Sequence, residues 1–497
     1  MPPQYQQLPT RPPPSRIDSA FVEVSRSPLP PDGTRSSGIR CTDHTESEPA
    51  PMHADAPDAA HYRLVCSVCG HRQSDDGVTL GCPEPHDPGL WKTDYRTEAL
   101  APDDRESGVF RYRDWLPVRR TLPGTGRSTV YRSRRLAGFL GLSELWIAFN
   151  GYWPEQGGDL TTGTFKELEA ATVLGRLPED AGTLVVTSAG NTAAAFAELC
   201  ARQRVPVAIV VPAAALPRLR TLAPASDLVR IVAVDGADYA DAIALGDALA
   251  RLPGFTAEGG TRNVGRRDGL ATVLLSAVEA MGGLPAYYVQ AIGSGAGAIA
   301  VHEAALRISA GTAADQQPSG LPQLILAQNS CYAPVHQAWN SGVRPWERDS
   351  EREQQEQRES CGRAFAPELT NRRPPYDVGG GLCEALTQSA GQVLVADAAA
   401  ARAAMETFRE LEGIDIEPAA GVALAALRDA VRGGRIDVDG RVLLNISGGG
   451  RDRLAAEHEL TCHQPDLVVP REAFRCPEQM AEVAAGAAVR RVESLAF

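Results

Sequence analysis

From about residue 180 onward, short apolar runs alternate with longer helix-like stretches. Residues 184–187, 207–211 and 231–234 read as strands, while 192–203 and 237–251 read as helices, the first of them rich in alanine. The same rhythm returns at 287–292, 324–328, 393–396 and 442–446. Strands alternating with helices of this length predict mostly parallel sheets flanked by helices, an α/β class, here in two lobes. Polar, charged stretches at 316–320 and 347–362 interrupt the pattern, the second as a helix or a mobile insertion. Residues 1–60 are rich in proline, serine and charge without periodicity, which predicts a disordered tail with order beginning near His61. No internal repeat is present.

Charge and cysteine usage narrow the function classes. The formal net charge is −13, so nucleic acid and anionic membranes are excluded as general partners. An anionic substrate needs local positive charge instead. No apolar run approaches the roughly 20 residues of a membrane span, and no apolar signal core opens the chain, so the expected location is the cytoplasm. Ten scattered cysteines do not form a secreted disulfide framework. One group has regular spacing: Cys66-x-x-Cys69, followed by Cys82 and His86. This fits a small ribbon holding a structural zinc, with His86 or His71 as the fourth ligand. The spacing Cys82-Pro-Glu-Pro-His86 is irregular, which leaves an intact site and a metal-free remnant both open.

Lysine is the rarest clue. Only Lys92 and Lys166 occur in 497 residues. Lys166 ends the turn Thr161-Thr-Gly-Thr-Phe-Lys166, just before an apolar helical pattern. The threonines can cap that helix, with Glu167 in its first turn. An amine can form a Schiff base with an aldehyde cofactor, whereas a guanidinium stays protonated and cannot. Three further stretches sit where strands hand over to helices, the place where open α/β sheets bind ligands. Thr187 ends a strand and is followed by Ser188, Ala189, Gly190 and Asn191, whose backbone N–H groups can hold a carboxylate and whose Asn191 amide can meet a phenolic oxygen. Gly293, Ser294, Gly295, Ala296 and Gly297 follow the strand at 287–292 and can wrap a phosphate at a helix N-terminus. No Gly-Lys-Ser/Thr ending follows, which disfavours a nucleoside triphosphate. Ser447, before three glycines, offers a neutral hydroxyl to a pyridine nitrogen. Amine, phenol partner, phosphate cup and ring-nitrogen partner together describe a pyridoxal phosphate site.

The order of these motifs resembles the tryptophan-synthase-β-like, or fold type II, pyridoxal phosphate enzymes over about residues 61–470. The stretch Glu412-Gly-Ile-Asp-Ile-Glu417-Pro resembles a late segment of that family. The ribbon and lysine turn look like threonine synthase. Arg262-Asn-Val-Gly-Arg-Arg267, Asn371-Arg-Arg-Pro-Pro-Tyr376 and Leu443-Leu-Asn-Ile-Ser447 look closer to cysteate synthase. The resemblance implies a ribbon at 61–95, a large cofactor-binding lobe at 96–180 and 286–480, and a small mobile lobe at 181–285. It implies that Lys166 holds the cofactor and moves the α-proton while sulfite replaces the phosphate of O-phospho-L-serine, giving L-cysteate. Two anions need arginines, with Arg262, Arg267 and Arg372 as candidates beside Arg266 and Arg373. A homodimer is also implied. The alternatives are a threonine-synthase-like reaction, another nucleophile, or a non-catalytic ligand-binding descendant. The chain departs from the family in the irregular ribbon, the long tail, and Lys166-Glu-Leu-Glu169 in place of Lys-Asp-Arg, which bears on donor and nucleophile more than on the cofactor.

Overall fold

In the computed structural model, residues 61–188, 190–311, 320–348, 350–471 and 477–489 are described. The tail expected at 1–60, Ala189, and 316–319 lie outside them. The larger sheet has six strands in the order Gln392–Ala396, Gln323–Asn329, Tyr287–Ala291, Val442–Ile446, Leu145–Phe149 and Thr129–Ser133. All neighbours are parallel except the last pair. Its central strand Val442–Ile446 is buried along its whole length, as expected for a strand covered on both faces.

The second sheet has five parallel strands: Phe255–Ala257, Thr183–Thr187, Val207–Pro212, Val229–Asp235 and Leu467–Pro470. The last strand comes from a segment that the sequence reading gave to the larger lobe. The helix Pro477–Val489 follows it in the chain. The stretch predicted as a helix or insertion near 347–362 forms the helix Glu351–Gly362, started by a capping box between Ser350 and Glu353.

Residues 61–95 form a three-stranded antiparallel ribbon, Arg72–Gln73, Tyr62–Cys66 and Trp91–Tyr95. Trp91 and Leu64 are buried in the same core cluster as the helix residues Leu168 and Leu270, so the ribbon is packed onto the main body.

The topology places the chemistry. Strands Tyr287–Ala291 and Val442–Ile446 are parallel neighbours in register, Tyr287 opposite Val442. Their C-terminal ends therefore deliver Gly293 and Ser447 side by side. The Lys166 turn is tied to the same edge: Phe165 N–H donates to Ser447 O at 3.0 Å, and Gly449 N–H to Gly163 O at 3.0 Å. No described helix is long and apolar enough to cross a membrane.

Candidate active site

A cleft of about 790 Å³, partly open to solvent, is lined by Lys166, Ser188, Gly190, Asn191, Gly293, Ser294, Gly295, Ala296, Gly297 and Ser447. All four motifs read from the sequence thus share one cavity. Lys166 is the first residue of the helix Lys166–Arg176. Its side chain is 21% exposed, and Nζ lies 3.0 Å from Glu169 Oε2. Burial pushes the Lys166 amine below its ordinary range; Glu169 opposes this and Arg266 adds to it. Such a shift favours the neutral amine, the form that attacks a carbonyl.

The lysine turn is ordered differently from the capping expected. No threonine side chain caps the helix. Instead Glu167 is fully buried and reaches back, accepting from Thr162 N–H at 2.9 Å and Thr162 Oγ1 at 3.1 Å. Burial raises the Glu167 carboxyl to about 7, against the hydrogen bonds from Thr162 that lower it.

At the glycine-rich turn, the N–H groups of Ser294, Gly295, Gly297 and Ala298 have no backbone acceptor among the described residues. They precede and begin the helix Ala296–Gly311. Orphan donors at a helix N-terminus make an anion cup. Gly295 has φ of +81°, and a Cβ there would stand 2.6 Å from Leu382 Cδ2. Ser447 is buried, lines the cleft, and its hydroxyl has no partner among the described residues. Next to it, a Cβ on Gly448 would fall 2.5 Å from Glu417 Oε2 and 2.9 Å from Gly163 O. Only glycine lets the serine loop lie this close to the lysine turn.

Asn191 begins the helix Asn191–Gln203. Its amide donates to Glu417 Oε2 at 2.8 Å and accepts from Arg451 at 3.2 Å. That leaves one amide N–H available to the cleft. Ser188 acts as the local cap, its Oγ accepting from Gly190 N–H and Ala193 N–H. Glu417 is also bound by Arg451 at 2.7 Å. Burial raises its carboxyl to about 7, partly offset by Arg451.

The remaining candidates are spread out. Thr187 and Arg262 line an adjoining cavity of about 1290 Å³. It shares Tyr239, Arg266, Ser294 and Asn371 with the first. Arg373 lines it too. Arg267 and Arg372 line neither cavity. Arg267 is buried, held by Glu303 at 3.1 Å and by the carbonyls of Thr261 and Trp91. Arg372 pairs with Asp238 at 2.9 Å, the residue that caps the helix Tyr239–Leu249. Tyr239, Arg266, Glu368 and Asn371 line the cleft but were not singled out for it, or were named only among several arginines.

In the ribbon, Cys66, Cys69, Cys82 and His86 place their ligand atoms within 4.8 Å of one another. His86 Nδ1 is bonded to Asp87 O at 2.6 Å, which turns Nε2 toward Cys66 Sγ at 3.2 Å. His71 instead faces Glu84.

The cleft suits pyridoxal phosphate: an amine of depressed basicity, an anion cup of orphan N–H groups, an unpartnered hydroxyl and a spare amide donor meet in one cavity. Comparison with known proteins agrees. Residues 122–448 match the model of the family described as "Pyridoxal-phosphate dependent enzyme". A cysteate synthase of Methanosphaerula palustris is 47% identical over 402 residues, covering 80% of this chain and 92% of that protein. The cysteate synthase of Methanoregula boonei is 43% identical over 409 residues, covering 82% and 94%. That of Methanothrix thermoacetophila is 45% identical over 413 residues, covering 82% and 95%. Among solved structures, maize serine racemase shares the fold at a TM-score of 0.50 and 18% identity, covering 67% of this chain and 93% of that one. From its lysine turn to its serine loop, this chain belongs to the pyridoxal-phosphate dependent enzymes.

Proposed function

We propose that the chain catalyses β-replacement on O-phospho-L-serine with sulfite, giving L-cysteate and phosphate. The C–O bond from the β-carbon to the phosphate ester breaks, and a C–S bond to sulfite forms in its place. The observation that carries the reaction type is the single cleft shared by Lys166, the glycine cup and Ser447. The substrate pair is supported by relatives named cysteate synthase, matched over nearly their whole length.

When bound, pyridoxal phosphate supplies an aldehyde for an amine and a ring that takes up the negative charge left by a departing α-proton. Lys166 is the amine that bonds to it and the base that takes and returns the α-proton. The N–H groups of Ser294, Gly295, Gly297 and Ala298 would hold its phosphate. Ser447 would meet the ring nitrogen as a neutral partner, and the spare N–H of Asn191 would meet the phenolic oxygen. The turn from Ser188 to Asn191 takes the substrate carboxylate. Arg262, with Arg373, makes the adjoining cavity the side on which phosphate leaves and sulfite arrives.

A structural zinc held by Cys66, Cys69, Cys82 and His86 belongs to the same reading. Three thiolates and one imidazole at these separations suit tetrahedral zinc, and the His86–Asp87 bond orients the imidazole as such sites require. A homodimer acting in the cytoplasm completes it, and light scattering checks the dimer.

The test of the reaction is product identity. Purified protein given O-phospho-L-serine and sulfite is expected to release phosphate and a product with the mass of cysteate. Turnover of O-phosphohomoserine with water instead would replace this reading with a threonine-synthase-like one. Bound cofactor without any turnover would point to a non-catalytic descendant.

A further inference from the structure

Glu169 has no part in the scheme above, yet it is the group nearest the reacting amine. It lies one helical turn beyond Lys166 and its side chain is fully buried. One oxygen, Oε2, stands 3.0 Å from Lys166 Nζ. The other, Oε1, accepts from Thr192 Oγ1 at 2.9 Å and is ion-paired with Arg266 Nη1 at 2.8 Å. Arg266 is forked onto Glu258 with its other donors, Nε to Oε1 at 2.8 Å and Nη2 to Oε2 at 2.5 Å. Lys166, Glu169, Arg266 and Glu258 thus form one linear chain of contacts at the cleft.

The fold fixes this chain rather than leaving it to side-chain choice. The helices Lys166–Arg176 and Val264–Met281 pack with backbones in contact. A Cβ on Gly269 would meet Leu168 O at 2.6 Å, and one on Gly265 would meet Val173 Cα at 3.3 Å. That close approach sets Arg266 directly against Glu169. Burial alone would lower the Arg266 pKa, but Glu169 and Glu258 more than offset it and hold the guanidinium charged. Of the other ionisable groups lining the cleft, the Tyr239 phenol is raised to about 12 by burial and stays neutral, and burial also raises the Glu368 carboxyl.

We propose that Glu169 is a positioning residue for the lysine: locked by Arg266 and Thr192, it receives the Lys166 ammonium whenever that amine is not bonded to cofactor. The inference rests on Lys166 being the reacting amine. Because Oε1 of Glu169 is held by Thr192 and Arg266, the carboxylate cannot follow the lysine, so the lysine returns to Oε2 in one place. Glu169 also decides how much of the released amine carries a proton. It stabilises the ammonium, against the desolvation and the Arg266 charge that favour the free base. Removing the carboxylate charge leaves Arg266 and Glu258 facing Nζ and moves the amine further toward neutrality.

The presence of only two lysines makes this directly measurable. The full chain, stripped of cofactor, is pulse-acetylated across a pH series. Acetylation at Lys166 and Lys92 is then read by peptide mass spectrometry. In Glu169→Gln the Lys166 midpoint is expected to fall by roughly 1–3 pH units, the usual effect of losing an opposite charge at this distance. In Glu169→Asp, which keeps the charge but draws it away, it falls by less. Lys92 stays where it was in both. The acid limb of kcat moves in the same direction as the Lys166 midpoint. A Lys166 midpoint unchanged in either folded variant overturns the proposal. Borohydride treatment of the cofactor-loaded wild type separates the two levels. If the cofactor is captured on Lys166 and the midpoint does not move, only the role of Glu169 fails. If Lys166 is not captured, the reading beneath it fails.

Discussion

Both lysines of the chain face a glutamate, and the two pairs have different fates. Lys92 lies on the ribbon strand Trp91–Tyr95, 3.5 Å from Glu384, with the two side chains 35% and 39% exposed. Lys166 is 3.0 Å from a glutamate that is fully buried and tied to Arg266. A half-exposed pair such as the first is screened by water and contributes on the order of 0–1 kcal/mol. The second pair sits beside orphan N–H groups and an unpartnered hydroxyl, where the charge of each group governs its neighbours. Residue type and separation are nearly the same, so reactivity here comes from the surroundings: one lysine begins a helix at a cleft, and the other decorates a ribbon.

The strongest way to break that contrast is to remove each amine in turn. Lys166→Ala is expected to abolish turnover, since proton transfer alone is worth roughly 10²–10⁴-fold and the lost covalent bond adds to it. Lys92→Ala is expected to leave kcat near the wild-type value. Steady-state release of phosphate from O-phospho-L-serine measures both.

The surroundings are probed next. Gly295→Ala places a methyl against Leu382 at a backbone angle that side chains rarely adopt. Losing a hydrogen bond to a charged group costs about 1.5–3 kcal/mol, so cofactor affinity should fall on the order of 10–100-fold. Titration of the cofactor-free variant with pyridoxal phosphate reads this.

A third measurement concerns the buried carboxylate that orders the lysine turn. Glu167 is raised from an unfolded value near 4.3 to about 7. The folded state then binds the proton more tightly than the unfolded state does. Its contribution is fully present below about pH 4 and is lost as pH rises toward 7. Relative to Glu167→Gln, the wild type should therefore lose stability across that window, by on the order of 3 kcal/mol. Denaturant melts of both proteins at several pH values test the sign.

The smallest effect on turnover is expected at the ribbon. Cys69→Ser should remove the zinc and lower Tm, while kcat is largely kept. Metal analysis and a thermal melt check the two halves.

Much of the site could be read from the chain because its parts are backbone devices. The glycines at 293–297 and 448–450 and the turn before Asn191 mark where strands end and helices begin, and parallel topology brings such ends together. The ion chain Lys166–Glu169–Arg266–Glu258 was less visible, since it depends on how closely two helices far apart in sequence pack. The spacing of Glu169, three residues beyond Lys166 on a helix, was the available signal. Charge could not sort the arginines. Arg262 and Arg373 line a cavity, whereas neighbouring Arg267 and Arg372 are consumed by Glu303 and Asp238. The strand Leu467–Pro470 escaped notice because it is a short edge strand with half-exposed residues.

The most direct measurement is to load the protein with pyridoxal phosphate, reduce it with borohydride and map the modified peptide. Cofactor mass on Lys166, with Lys92 unmodified, is the predicted result. Stable label on Lys92, or none on either lysine despite bound cofactor, would contradict the account.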